Sequence, residues 1–270
     1  MKTTMTILGN SRTGIPQWKA CLAAFVSLAV PLFAADKVLL SDGFEPGSGY
    51  SPGTVVNQPS SVDPANQWKR VFSVAERDAS VDPAAVSTDS DNRSTIVSVE
   101  GKQALKLGGL RATVRKGFSP EDCAKMEEGG GEKITFRMRC KISLTEDMDK
   151  CFFVPLMLNS RETHTTALAI TVQNGMVYAT KPSDRPGGDG VRTTLRWPAD
   201  TWVALEVRLD FKDQTYSVLL DSEEATQGPF PLVVPIPSPD QIETIYMAGA
   251  STNGDSNFIL FDEIEILPSP

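Results

Sequence analysis

Three carboxylates stand near the end of the chain: Asp262, Glu263 and Glu265 lie in the apolar run FILFDEIEIL. Acids this close together can act as proton donor and acceptor, can hold a metal ion, or can form the wet edge of a strand. The strand period sorts them. Glu263 and Glu265 share one face, about 7 Å apart, and Asp262 falls on the other. That second face carries Leu260, Ile264 and Ile266 and reads as the core side. An acid facing a core needs a hydrogen-bonding partner or a cation, whereas the two glutamates suit water.

A second group of polar residues sits on two alternating stretches. In ITFRMRCKI, Ile134, Phe136, Met138, Cys140 and Ile142 alternate with Thr135, Arg137, Arg139 and Lys141. In TWVALEVRLDF, Val203, Leu205, Val207, Leu209 and Phe211 alternate with Glu206, Arg208 and Asp210. Each is a strand with one core face and one wet face, so Arg137, Arg139, Glu206 and Arg208 belong to polar sheet surface. Trp197, in TLRWPAD, can serve either as core or as an exposed platform, while Trp68 and Trp202 read as core. His164 is the single histidine and falls in a hairpin loop, which suits a solvated residue. A zinc site would need a histidine cluster or paired cysteine spacings, and the chain has neither.

Holding these residues in place requires a scaffold of short strands. CFFVPLML and ALAITVQNGMVYAT follow the first alternating stretch, and Asn174-Gly175 is the strongest hairpin signal in the chain. A second hairpin turns at KDQ. The run GPFPLVVPIPSPD predicts an edge or a crossover, because each proline removes a ladder donor. With IETIYMAGAS and FILFDEIEI the set reaches about nine strands, the pattern of an all-β, two-sheet antiparallel sandwich. A helix of no more than a turn or two is expected, around SPEDCAKMEE. Residues 43–98, rich in Gly, Pro, Ser, Asp and Asn, read as long loops around one or two short strands. The apolar last strand needs partners on both sides, which should bring the two ends of the domain together.

Residues 1–35 have the layout of a secretory signal peptide, with an apolar run at 20–35 broken by Pro31 and small residues at Ala34 and Ala35 for cleavage. The run is shorter than the ~20 residues a membrane span needs, and no later stretch is long enough. Cleavage would leave residues 36–270 as a single domain, secreted or periplasmic. Losing Lys2, Arg12 and Lys19 removes three of 26 basic residues and none of 34 acidic ones, moving the formal charge from -8 to -11. Such an acidic protein does not seek nucleic acid. Cys123, Cys140 and Cys151 would remain, and an oxidising compartment favours joining two of them. Cys140 and Cys151 read as facing members of a hairpin centred on SLTEDM, but their parity differs, so a bridge would need a bulge or register shift.

LLSDGFEPGSGYSPG, EGKQALKL, WVALEVRLDFKDQTYSVLLD and ILFDEIEI, in that order and spacing, resemble landmarks of the concanavalin A-like jelly-roll domains, including the LamG-like type of exported bacterial proteins. The likeness spans nearly the whole of residues 36–270. It implies a two-sheet antiparallel jelly roll. The end motifs are also similar to those of carbohydrate-binding jelly rolls, where an acid after Gly-Phe and an aspartate in the last strand hold a structural calcium; Glu45 and Asp262 are the matching positions. Calcium suits such a place because it accepts six to eight oxygens in loose geometry.

Within this resemblance, the hydrolases carry E-x-D-x-x-E on one strand, and the chain lacks that motif. Lyase chemistry would draw on Arg137, Arg139, Arg208, Tyr178 and His164, and no G-x-S-x-G elbow is present. Binding a sugar needs less: an aromatic platform and a few polar groups. The expected function is a secreted, non-catalytic module for a polysaccharide or glycoconjugate, contacted by Arg137, Arg139, Tyr178, Trp197 and Arg208. A glycan-cleaving enzyme on the same fold is the alternative, and a structural or adhesion module the third reading.

Overall fold

The computed structural model describes residues 38–44, 50, 53, 68–70, 93–108, 112–144, 151–251 and 257–269. In chain order its elements are β1 (Leu40–Gly43), β2 (Lys69–Arg70), β3 (Arg93–Val99), β4 (Lys102–Gly108), β5 (Ala112–Gly117), α1 (Pro120–Gly130), β6 (Lys133–Ser143), β7 (Cys151–Ser160) and β8 (Thr166–Gln173). There follow β9 (Met176–Lys181), β10 (Asp189–Arg196), β11 (Trp202–Asp210), β12 (Thr215–Leu220), β13 (Glu223–Glu224), β14 (Phe230–Pro231), β15 (Ile242–Ser251) and β16 (Phe258–Pro268).

The strands form two antiparallel sheets. A nine-stranded sheet runs β13-β12-β11-β6-β16-β4-β3, with β14 beside β12 and β1 beside β16; a seven-stranded sheet runs β10-β9-β8-β7-β15-β5-β2. Apolar side chains of the two pack into one core, with Phe136, Val207 and Phe261 from the first and Phe153, Ile170 and Met247 from the second. The chain crosses repeatedly between the sheets, from β4 to β5, β5 through α1 to β6, β6 to β7, β10 to β11, β14 to β15 and β15 to β16, which makes the sandwich a jelly roll.

Local signals explain the elements. Asn174 and Gly175 both have positive φ, 52° and 67°, as a two-residue turn between β8 and β9 requires. The proline-rich run adds only β14 at the sheet margin and then crosses over, Val233 N–H donating to the Ala167 carbonyl of the other sheet at 2.8 Å. Helix α1 is longer than the turn or two expected, at 11 residues. Its start carries a reciprocal cap: the Asp122 N–H donates to Ser119 Oγ at 3.1 Å and the Ser119 N–H to Asp122 Oδ2 at 3.1 Å, with Pro120 in the first turn.

The ends of the domain do meet. β16 pairs with β6 along one side; on the other it pairs with β4 from Phe258 to Phe261 and then with β1 from Glu263 to Ile266. The cysteine hairpin is overturned, because β6 and β7 lie in different sheets. Cys140 and Cys151 sit in those facing sheets, Cys123 is in α1, no disulfide joins any two of the three, and all are buried. Burial pushes the Cys140 thiol well above its ordinary pKa, which keeps it protonated and inert.

Candidate functional site

The outer face of the nine-stranded sheet gathers most of the polar residues singled out by sequence. Register does the gathering. Across β11, β6 and β16, Glu206 faces Arg137, which faces Glu265; one row along, Ala204 faces Arg139, which faces Glu263. Cross-strand partners share a face, so these six residues stand together above the sheet.

Asp262 is placed differently from the strand-parity expectation. The β6 partner of Phe261 is Cys140 and that of Glu263 is Arg139, so Asp262 is the extra residue of a bulge. The bulge changes parity along β16. Ile259 and Phe261 point into the core before it, and Ile264 and Ile266 after it. Leu260, expected on the core face with Ile264 and Ile266, is buried but lies outside the core cluster. Asp262 thus joins the outer face, where Arg139 Nη1 donates to its Oδ2 at 2.5 Å and Lys102 Nζ stands 3.8 Å away.

The same face carries a second ion-pair cluster. Arg137 Nε donates to Glu206 Oε1 at 3.0 Å and Arg208 Nη2 to Glu206 Oε2 at 3.1 Å, while Arg137 Nη1 lies 3.8 Å from Glu265. Both oxygens of Glu206 are therefore taken by guanidinium donors. The guanidinium of Arg139 also stacks over the indole of Trp202, 4.9 Å from the ring centroid. Ala204, between Trp202 and Glu206 on β11, is too short to fill its place. It floors a groove of about 310 Å³ walled by Trp202, Arg139, Arg137, Glu263, Glu265 and Asp221. Beyond the Arg139–Trp202 stack lies a smaller recess of about 90 Å³ beside Glu100, Lys102 and Asp262.

Trp197, open between core and platform in the sequence, takes the core place, and Trp202 takes the partly exposed one. Trp197 is 4% exposed and belongs to the core, continuing the inward alternation of Thr193 and Leu195. Trp202, expected in the core, is only partly buried and lines the groove. The signal was present: Trp202 shares strand parity with Glu206 and Arg208, not with Val203 and Leu205. Tyr178 is also separated from Arg137, Arg139 and Arg208. It lies on the seven-stranded sheet, half-buried between the core residues Val177 and Ala179, and faces outward on the far side of the sandwich. His164 is exposed in its turn as expected, bonded to Glu243 at 2.9 Å.

The surroundings of Asp262 do not fit a calcium ion. Two cationic side chains already face its carboxylate, and among the described residues no group of three or more His, Cys, Asp or Glu side chains is placed to hold a metal. Glu45 lies outside the described residues.

No family model matches the chain, and no curated protein matches it. Solved structures that resemble it include a sialidase (12% identity, TM-score 0.47, covering 75% of this chain and 17% of that one). Another is the botulinum neurotoxin serotype G binding domain (6%, 0.48, 85% and 47%). A third is the Caenorhabditis elegans galectin LEC-6 (12%, 0.39, 60% and 94%). The chain spans less than half the length of the sialidase and neurotoxin chains it matches.

Proposed function

We propose that the protein is an exported, non-catalytic glycan-binding module that holds a neutral polysaccharide or glycoconjugate in the groove beside Trp202. The observation that carries this reading is the partly exposed Trp202 indole on an otherwise polar face, held by the Arg139 guanidinium and opening onto a groove floored by Ala204. An aromatic ring with a few fixed polar groups suits a sugar, whose C–H face stacks and whose hydroxyls bond. Neutrality follows from pairing, since Arg137, Arg139 and Arg208 each engage a carboxylate on the same face. Calcium has no part in the proposal, because Asp262 is committed to Arg139. Export rests on the layout of residues 1–35.

A second reading has one observation in its favour: Glu263 and Glu265 line the same groove. Alternate strand positions put their backbones about 7 Å apart, within reach of the carboxyl spacing of inverting hydrolases. One experiment separates the two. Neutral polysaccharides are presented to the secreted protein on an array while reducing-sugar release is measured on the same set. Binding without release, weakened about tenfold in Trp202→Ala, is expected. Release of sugar would replace the binder with an enzyme, and binding unaffected by Trp202→Ala would move the site elsewhere.

A further inference from the structure

The opposite side of the sandwich carries a different arrangement. On the outer face of the seven-stranded sheet, Arg192 of β10 pairs in register with Tyr178 of β9, and Arg115 of β5 with Tyr246 of β15. Both tyrosines are half-buried and all of Arg115, Arg192 and Arg196 are exposed. Among the described residues, none of these three guanidiniums has a carboxylate or hydrogen-bonding partner. The acids on the strands of this sheet are Asp189 and Glu243, and each is already engaged, by Arg185 at 3.8 Å and by His164 at 2.9 Å. Unpaired cations are unexpected on a chain with a formal charge of -8.

The spacing has its own meaning. From Tyr178 to Tyr246 the sheet advances three strands and shifts by two residues, a separation of about 16 Å; Arg192 and Arg115 stand about 25 Å apart by the same count. The face between the tyrosines is low, with Thr171 next to Tyr178, Met157 next to Tyr246, and Ala169 paired to Met157. We propose that this face binds a sparsely charged anionic polysaccharide, its sugar rings against Tyr178 and Tyr246 and its sulfate or carboxylate groups on Arg192 and Arg115. A guanidinium fits either oxyanion with a two-pronged hydrogen bond. Nucleic acid suits the face less well. It carries a charge about every 3.4 Å along each strand, and an acidic chain with a few cations far apart repels more of that charge than it neutralises.

The test is electrophoretic retardation of the secreted protein in gels containing κ-carrageenan (widely spaced sulfate), xanthan (widely spaced carboxylate), dextran (neutral) or poly(dT). Retardation by carrageenan or xanthan is expected, and which of the two is stronger identifies the anion. Arg115→Gln and Arg192→Gln, both exposed, should each weaken it about fivefold. Raising NaCl from about 50 to 300 mM should weaken it further. Trp202→Ala should leave it unchanged, which keeps the outcome separate from that of the groove on the other face. Retardation by neither acidic polymer, equal retardation by poly(dT), or loss through Trp202→Ala with the arginine variants unaffected would each overturn the proposal.

Discussion

Arg137 and Arg192 occupy comparable places, each on the outer face of one sheet and each opposite a register partner in the next strand, yet their circumstances are opposite. Arg137 lies between Glu206 and Glu265, in a row of alternating charge across three strands. Arg192 faces a tyrosine and has no acid partner among the described residues. The difference comes from which strands the fold makes neighbours, since β6 falls between two strands that carry glutamates and β10 is an edge strand beside one that carries none. An arginine whose charge is already answered serves the structure. One whose charge is not answered remains available to a ligand.

The sharpest way to break this comparison is to remove one arginine from each face. Arg139→Met leaves the Asp262 carboxylate, whose side chain is 7% exposed, facing only the more distant Lys102. The arginine is itself 41% exposed, which reduces the penalty of a fully buried broken pair, so a loss of about 2 kcal/mol is expected in urea unfolding. Arg192→Met breaks no pair and should stay within about 0.5 kcal/mol. Equal losses for both variants would mean that the two faces do not differ in the way their contacts indicate.

How much of this was legible in the sequence depended on whether strand parity was followed through. Parity gives the alternating faces of β6 and β11, while the turn residues give both hairpins and the apolar last strand gives the meeting of the two ends. Trp202 is legible too, since parity sets it beside Glu206 rather than Val203 and outweighs the size that points to the core. Asp262 was not legible. A bulge inserts one residue where β16 passes from β4 to β1, and nothing in FDEIEIL marks that transfer. The separation of Cys140 from Cys151 was hidden for a related reason: a short link between two strands has the same composition whether it turns back in one sheet or crosses to the other. The unpaired arginines were invisible because pairing is a property of neighbours far apart in sequence.

Acid should sharpen the contrast more gently. Asp210, on β11 of the nine-stranded sheet, accepts the Asp213 N–H at 2.9 Å and the Lys212 N–H at 3.0 Å and pairs with Lys133 at 3.2 Å. The Asp213 N–H has the largest influence on its carboxyl; burial opposes it, and Lys133 and the Lys212 N–H tip the balance below the ordinary value. A carboxyl depressed in the folded state adds stability above its unfolded pKa and loses that contribution as pH falls through the folded value. Asp210→Asn should therefore lower Tm by about 2 °C near pH 7, with the gap closing as pH falls through and below the ordinary carboxylate range. Arg115→Gln and Arg192→Gln should show no such dependence. A gap for Asp210→Asn that widened as pH fell would contradict the sign of the shift.

The smallest effects are expected from the two glutamates in the groove. Glu263 is exposed, so Glu263→Gln should change stability by no more than about 0.5 kcal/mol; Glu265 is half-buried and 3.8 Å from Arg137, and Glu265→Gln should cost no more than about 1 kcal/mol. Glutamine keeps a carbonyl oxygen that accepts a hydroxyl, so binding of a neutral glycan should change by less than about threefold. An acid or nucleophile in a hydrolase behaves otherwise, because its removal costs orders of magnitude in rate. Melting, array binding and reducing-sugar release measured together on the two variants therefore distinguish the readings of this face. A polysaccharide cleaved by the wild type and by neither variant would show the groove to be catalytic, and would set the two faces apart by chemistry as well as by charge.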